Sequence, residues 1–205
     1  MVPWKKISRI FYKFFHGKEV VSSILSKEEW EDQYEGGAWK RLITFVQPNT
    51  EYIAEYCLQL SKKINQPISV VDLGCGNGGL GAAFIRLKVP ISYYLGVDIS
   101  EVALASAKKS FPVGEYKCID LSKEIPKEVK NADVVICNEV IYYVPITSFL
   151  KRLKKMYEGN TIFSYYRSWR SLFIYVYIRL YFGKIKRYCV ETAAQKWTIA
   201  IYEQQ

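Results

Sequence analysis

The chain has 205 residues, half of them hydrophobic, and a formal net charge of +9. That size and apolar content suit one globular domain with a full core and leave little room for a second. A single histidine and five scattered cysteines (Cys57, Cys75, Cys118, Cys137, Cys189), with no CxxC pair, argue against a zinc site or a disulfide framework; no metal is expected, and the cysteines read as buried free thiols of a reducing cytoplasm.

In chain order, residues 1–25 form a basic appendage. Trp4, Ile7, Ile10, Phe11 and Phe14 fall near helical spacing, with Lys6, Arg9 and Lys13 between them. The segment lacks the long apolar core of a signal peptide. It suits a helix packed on its own domain, an oligomer contact, or a peripheral contact with the inner face of a membrane. Residues 26–205 then read as one domain. Ser26–Glu29 (SKEE) forms a capping box that opens a short helix through Trp30 and Tyr34, broken at EGGAW. After Pro48 the apolar residues Tyr52, Ile53, Tyr56, Cys57, Leu60 and Ile64 keep a period near 3.6 and predict a helix ending before Pro67.

From there strands and helices alternate. Strands are predicted at 68–73, 91–99, 115–120, 132–138 and 160–167. Helices are predicted at 78–87, 100–110 (opened by Ser100), 145–157 and 169–182. The last two runs, KIKRYCVE and KWTIAIYE, predict an antiparallel hairpin. The fold class is therefore α/β: a Rossmann-like, seven-stranded, mostly parallel sheet with helices on both faces and a C-terminal antiparallel hairpin. The run 171–183 is too short to span a bilayer and contains Arg179.

Charge is uneven along this order. Residues 1–20 hold five basic side chains and one acid, residues 151–190 hold ten and one, and the rest is net acidic. A basic surface facing phosphates, an anionic glycan or a membrane fits, and so does a solvated face without a partner. The cluster Arg167, Arg170, Arg179, Lys184, Lys186 and Arg187 belongs to this surface.

The informative stretch is VVDLGCGNGG, residues 70–79. Gly74, Gly76 and Gly79 satisfy G-x-G-x-x-G between a strand and a helix, a weak dinucleotide fingerprint taken alone. Asp72 argues against a pyrophosphate there. At an effective dielectric near 20, its repulsion of a phosphate charge is roughly 4 kcal/mol at about 4 Å. A ligand with an ammonium group removes the objection, because the carboxylate then organises the amine, directly or through the loop.

The segment Asp72–Gly78 (DLGCGNG) resembles motif I of class I S-adenosylmethionine-dependent methyltransferases. Three further segments match that family in order. In GVDIS, the resemblance implies that Asp98 binds both ribose hydroxyls and that Ile99 lies against the adenine. In CIDLS, it places Asp120, followed by Leu121, near the adenine amino group; a plain turn residue is the alternative for Asp120. In NEVIYYVP, Asn138 and Glu139 fall at the cleft rim. The glycine turn implies cofactor contacts from Asp72, Gly74, Cys75 and Gly76, with Cys75 serving as a small residue within the loop. Tyr34 and Trp39, in an aromatic-rich entry segment, are candidates to contact the methionine moiety and close the cleft. Trp30 reads as packing, and Arg41 as a cofactor-carboxylate partner or a solvated side chain.

The resemblance implies S-adenosyl-L-methionine as cofactor and methyl transfer to N or O of a small metabolite or saccharide. Glu139 is the candidate base or amine anchor, with a helix-start carboxylate or support for the loop as the alternative. Tyr142 and Tyr143 are candidates for the acceptor pocket, at least one of them belonging to the core; Glu139 and Tyr143 are the residues expected to be catalytic. His16, the one histidine, lies in the appendage and is not expected to act as base. NEVIYY is unlike the Asn/Asp-Pro-Pro-Tyr/Phe signature of enzymes that methylate DNA bases or glutamine amides, so no specific nucleic acid is expected. A second reading is a catalytically silent basic binding protein on the same fold, associated with membrane or RNA; a third, an NAD-dependent oxidoreductase, is disfavoured by Asp72.

Overall fold

The computed structural model describes residues 25–37, 39, 47–168 and 171–204. The appendage before residue 25, with His16, lies outside the described residues, as do Arg41 and Arg170.

The Ser26 capping box opens helix α1 (Lys27–Glu35), with the Ser26 hydroxyl accepting from the Glu29 N–H and the Glu29 carboxylate accepting from the Ser26 N–H. Helix α2 (Pro48–Ile64) starts on a proline, whose missing N–H costs nothing in a first turn, and closes on Asn65 in the left-handed conformation. There follow β1 (Ile68–Leu73), α3 (Gly79–Leu87), β2 (Ile91–Asp98), α4 (Glu101–Ser110), β3 (Glu115–Cys118), β4 (Val134–Asn138), α5 (Ile146–Met156), β5 (Asn160–Tyr166), α6 (Ser171–Phe182), β6 (Lys186–Glu191) and β7 (Lys196–Tyr202).

The predicted order of elements is the observed one, with small corrections. The third strand stops at Cys118 rather than 120, because Asp120 begins a turn. A 3-10 helix, Lys127–Asn131, links β3 to β4 where none was expected. The thiols are free, but only Cys57, Cys75 and Cys137 are buried; Cys118 and Cys189 are exposed, because each lies on an edge strand.

The sheet order is β3-β2-β1-β4-β5-β7-β6. Strands β1 to β5 pair in parallel, while β7 runs antiparallel to both β5 and β6. Strand β1 is buried on both faces, and its alternate side chains feed two cores. Val71 and Leu73 join Val135, Phe149, Leu150, Phe163 and Ile178 on the side of α5 and α6. Val70 joins Ile53, Leu80, Phe84 and Ile136 on the side of α2 and α3. The strand order reverses between β1 and β4, and ligands of open α/β sheets bind beyond the carboxyl ends of the strands at such a point.

Candidate active site

The turn after β1 is shaped by its neighbour β2. The N–H groups of Gly74 and Cys75 both donate to the Val97 carbonyl, at 2.8 and 2.9 Å. The Gly76 N–H donates to Asp98 Oδ2 at 2.9 Å, and the Gly78 N–H to the Cys75 carbonyl at 3.0 Å. Four amides of the turn are thus committed within the protein. A phosphate loop needs such amides aimed at its ligand; this turn instead offers a bare, close backbone. Gly74 has φ +79°, and a Cβ built there would lie 1.8 Å from Val140 Cγ2. At Gly76, φ +52°, the nearest atom to a built Cβ is the Tyr34 hydroxyl, at 3.2 Å.

Asp72 lies beneath this turn, 1% exposed, on the α2–α3 side of the sheet. Its Oδ2 accepts from the Tyr94 hydroxyl at 2.8 Å, while Oδ1 is buried without a partner. Burial pushes its pKa up to about 7; the Tyr94 hydrogen bond opposes this and the nearby Asp98 charge adds to it. Of the two routes by which Asp72 organises an amine, direct contact is closed in this structure.

Asp98 ends β2 with both oxygens engaged. Oδ2 takes the Gly76 N–H, and Oδ1 the Ser100 N–H at 3.1 Å. Burial raises its pKa to about 6 against these backbone donors. Each carboxylate oxygen still has a lone pair for a second donor, so a pair of ribose hydroxyls fits. Ile99, half-buried, follows it, and its carbonyl accepts from the Cys118 thiol at 3.3 Å.

Helix α1 covers the turn. Trp30, Tyr34 and Trp39 form an aromatic group with ring centroids 6.1–6.3 Å apart, and Trp30 meets the Tyr143 ring edge-on at 4.8 Å. The Trp39 carbonyl accepts from Asn77 Nδ2 at 3.1 Å, and its indole Nε1 is buried without a partner. Sequence reasoning missed the residue that anchors this cover. The Glu31 carboxylate accepts from the Ser100 hydroxyl at 2.6 Å and from the N–H groups of Glu101 and Val102 at 2.7 and 3.2 Å. It caps α4 from another helix, a partner about seventy residues away that no local pattern announces. Glu31→Ala removes an acceptor of three donors at a helix N-terminus. We expect α1 to detach, at a cost of about 2 kcal/mol, read as faster amide exchange across residues 27–37 with β1 and β2 unaffected.

The rim after β4 carries Glu139, which has φ +60°, a left-handed conformation unusual for a non-glycine residue. Its N–H donates to the Ser164 carbonyl at 2.9 Å. Burial raises its pKa to about 8, against hydrogen bonds from the Tyr142 hydroxyl (3.4 Å) and the Trp197 side chain. The helix-start alternative for Glu139 is overturned, since α5 begins only at Ile146 with Pro145 as its cap. Tyr142 packs against the core, and its oxygen also accepts the Tyr166 N–H. Tyr143 turns instead to Trp30, its ring 5.8 Å from that of Tyr142.

Asp120, Leu121, Cys75 and Asn138, the last also expected among the cofactor-binding residues, have their side chains engaged within the protein. Asp120 is held in its own turn, Oδ1 accepting from the Ser122 N–H and hydroxyl at 2.9 and 2.6 Å and Oδ2 pairing with Lys123 at 3.0 Å; the turn-residue alternative describes it. The Leu121 side chain is buried in the α5–α6 core. Cys75 packs against Leu104 and Ala107 of α4. Asn138 points to α2: its Oδ1 accepts from Asn49 Nδ2 and its Nδ2 donates to Thr50 Oγ1, both at 2.9 Å. Any ligand contact from Leu121 or Cys75 comes from backbone. Tyr34, Trp39, Gly76 and Asp98 are joined by direct contacts, and Trp30 links Tyr143 to this group.

Buried Asp72 and Asp98 and half-buried Glu139, all with raised pKa values, set a pH dependence. Asp72, Asp98 and Glu139 hold protons in the folded state between their ordinary values (3.8, 3.8 and 4.5) and about 7, 6 and 8. The unfolded chain binds fewer protons in that window, so stability falls as pH rises through it. The ligand-free protein should melt at a higher temperature at pH 5.5 than at pH 8.5. Asn and Gln substitutions at these positions should flatten the profile.

Residues 71–163 match a family profile described as a methyltransferase domain. In sequence these residues resemble a methyltransferase domain, and the seven-stranded sheet has the class I methyltransferase fold. The chain is 32% identical over 155 residues to the ubiquinone biosynthesis O-methyltransferase of Pelagibacter ubique, covering 71% of this chain and 62% of that protein. Other matched relatives are named as methyltransferases of ribosomal protein and ribosomal RNA. The chain spans 28–62% of the length of the curated relatives it matches. In fold it is similar to magnesium protoporphyrin IX methyltransferase of Synechocystis, solved with bound SAM, at TM-score 0.65 and 18% identity, covering 89% of this chain and 99% of that one. It is similar as well to the N-methyltransferase NodS of Bradyrhizobium japonicum, solved with S-adenosylhomocysteine, at TM-score 0.60 and 15% identity, covering 80% and 90%.

Proposed function

We propose that the domain is an S-adenosylmethionine-dependent methyltransferase that methylates N or O of a small metabolite or saccharide. The observation that carries this reading is the glycine turn with four of its amides already engaged, a carboxylate beneath it, a second carboxylate one strand away and an aromatic cover above. A close backbone and a buried negative field suit a cationic amino-acid tail, and Asp98 suits a ribose. Trp39 Nε1, in the aromatic cover, is a buried donor without a partner. Bound there, the cofactor would supply a methyl group on a sulfonium, with a neutral thioether as the leaving group.

The chain's part is alignment and exclusion of water. Trp30 and Tyr143, packed edge to face, close the side of the cleft between cover and rim. In this reading Glu139 accepts a proton from the acceptor's N–H or O–H, a role its pKa of about 8 supports for a base working near neutrality. The Tyr142 hydroxyl holds the carboxylate in place. Asn138, braced by Asn49 and Thr50, positions the backbone that carries Glu139. The protein is read as cytoplasmic.

Isothermal titration with S-adenosylhomocysteine, alongside NAD, tests the cofactor. Binding of the first and not the second is expected, and the reverse would sink the reading. Release of S-adenosylhomocysteine over a panel of sugars, amines and phenols tests the acceptor. With an active acceptor, Glu139→Gln should lower the turnover rate by about 10²–10⁴ and abolish a rise in rate through about pH 8. An unchanged profile would assign the base elsewhere.

A further inference from the structure

Helix α6 presents an apolar face to solvent. Ser171, Ile174, Ile178 and Phe182 are its buried side. Leu172, Phe173, Val176 and Leu180 point the other way, 46–72% exposed. At 100° per residue these four fall within one arc of about 100°, with Arg179 at its edge. Four large apolar side chains gathered on one exposed helix face are more than the scattered single residues of an ordinary surface.

The chain on either side of this face is basic. No acidic residue occurs between Glu158 and Glu191. Arg179, Lys184 and Arg187 are exposed and form no ion pair among the described residues. The Arg187 guanidinium lies 4.9 Å over the Tyr175 ring, which places it against α6. Among the described residues no helix is long and apolar enough to cross a membrane. At 12 residues, α6 has the length of an element that lies along a surface.

We propose that the outer face of α6 docks on an anionic membrane, with Leu172, Phe173, Val176 and Leu180 entering the interface and Arg179, Lys184 and Arg187 meeting lipid phosphates. Charge decides among the occupants this face could have. A second copy of α6 would bring Arg179, Lys184 and Arg187 against themselves. The apolar residues of 1–20 travel with five basic side chains and one acid, and would also meet like charge. An anionic headgroup layer satisfies both parts of the face, as in amphipathic interfacial helices. Docking there also sets the cleft beside the bilayer, because α6 begins five residues after Tyr166, whose N–H bonds to Tyr142 at the rim.

The test is flotation of the full chain with vesicles of phosphatidylcholine alone and with about one-third phosphatidylglycerol. Binding to the anionic vesicles, weakening with added salt, is expected. A Phe173→Glu/Leu180→Glu double variant should bind about tenfold or more weakly, with unchanged circular dichroism and melting because both sites are exposed. Two results would overturn the proposal. One is a double variant that floats like the parent, which would move the contact to another segment. The other is a parent that stays off the vesicles while the double substitution lowers its mass in light scattering, which would make the face a contact between copies. S-adenosylhomocysteine titration of the double variant keeps this question separate from the proposed activity, since its affinity should be unchanged.

Discussion

An Asp98→Ala protein should bind S-adenosylhomocysteine about a hundredfold more weakly than the parent, or worse. Hydrogen bonds to a charged group contribute about 1.5–3 kcal/mol each, and the proposed clamp loses two. Alanine also releases the Gly76 and Ser100 amides, which Asp98 holds at 2.9 and 3.1 Å. Part of the loss would therefore come through a loosened turn. Asp98→Asn separates the contributions: it keeps the shape and one acceptor oxygen but loses the charge, so it should fall between the parent and alanine. The same carboxylate predicts a pH effect on binding. Its pKa near 6 leaves it largely neutral below that pH, and hydroxyl donors favour the ionised form. Affinity should rise as pH rises through about 6 and then level. Parental affinity in the alanine variant would remove the ribose assignment.

How much of this could be read from the chain follows from the range of each interaction. Asp72 and Asp98 stand out because a buried strand that ends in an acid and glycine is a local pattern, and β1 and β2 place both acids at one end of the sheet. The period of α2 and the capping box of α1 are equally local. Asp120 shows the limit of that logic. It too ends a strand-like run, but Ser122 and Lys123 lie within reach and claim its oxygens. The Glu31 cap on α4, the Tyr94 hydroxyl under Asp72 and the Asn49–Asn138 bond join elements far apart in sequence, and nothing beside those residues marks them. Glu139 was visible as a rim carboxylate. Its left-handed backbone was not, because only the packing of the rim segment against β5 imposes it.

Gly74→Ala carries the second large effect, and its size comes from comparison with Gly183. Both glycines have positive φ, +79° and +73°. A Cβ at Gly183 meets nothing within 4 Å, whereas one at Gly74 lies 1.8 Å from Val140 Cγ2. Gly183→Ala therefore pays only the left-handed conformation, about 1 kcal/mol. Gly74→Ala adds an overlap that no rotamer of its own can relieve, and overpacking of this kind costs about 1–3 kcal/mol more. A total of about 3 kcal/mol corresponds to a melting temperature lower by about 6–12 °C in a domain of this size. Any relaxation must move the turn, whose amides are stapled to Val97, so cofactor affinity should fall with stability. Adding Val140→Ala should return the steric part and leave the conformational part, bringing the double variant near the Gly183→Ala loss after allowance for Val140→Ala alone. A Gly74→Ala protein that melts with the parent would mean that the turn does not hold Val140 against its backbone.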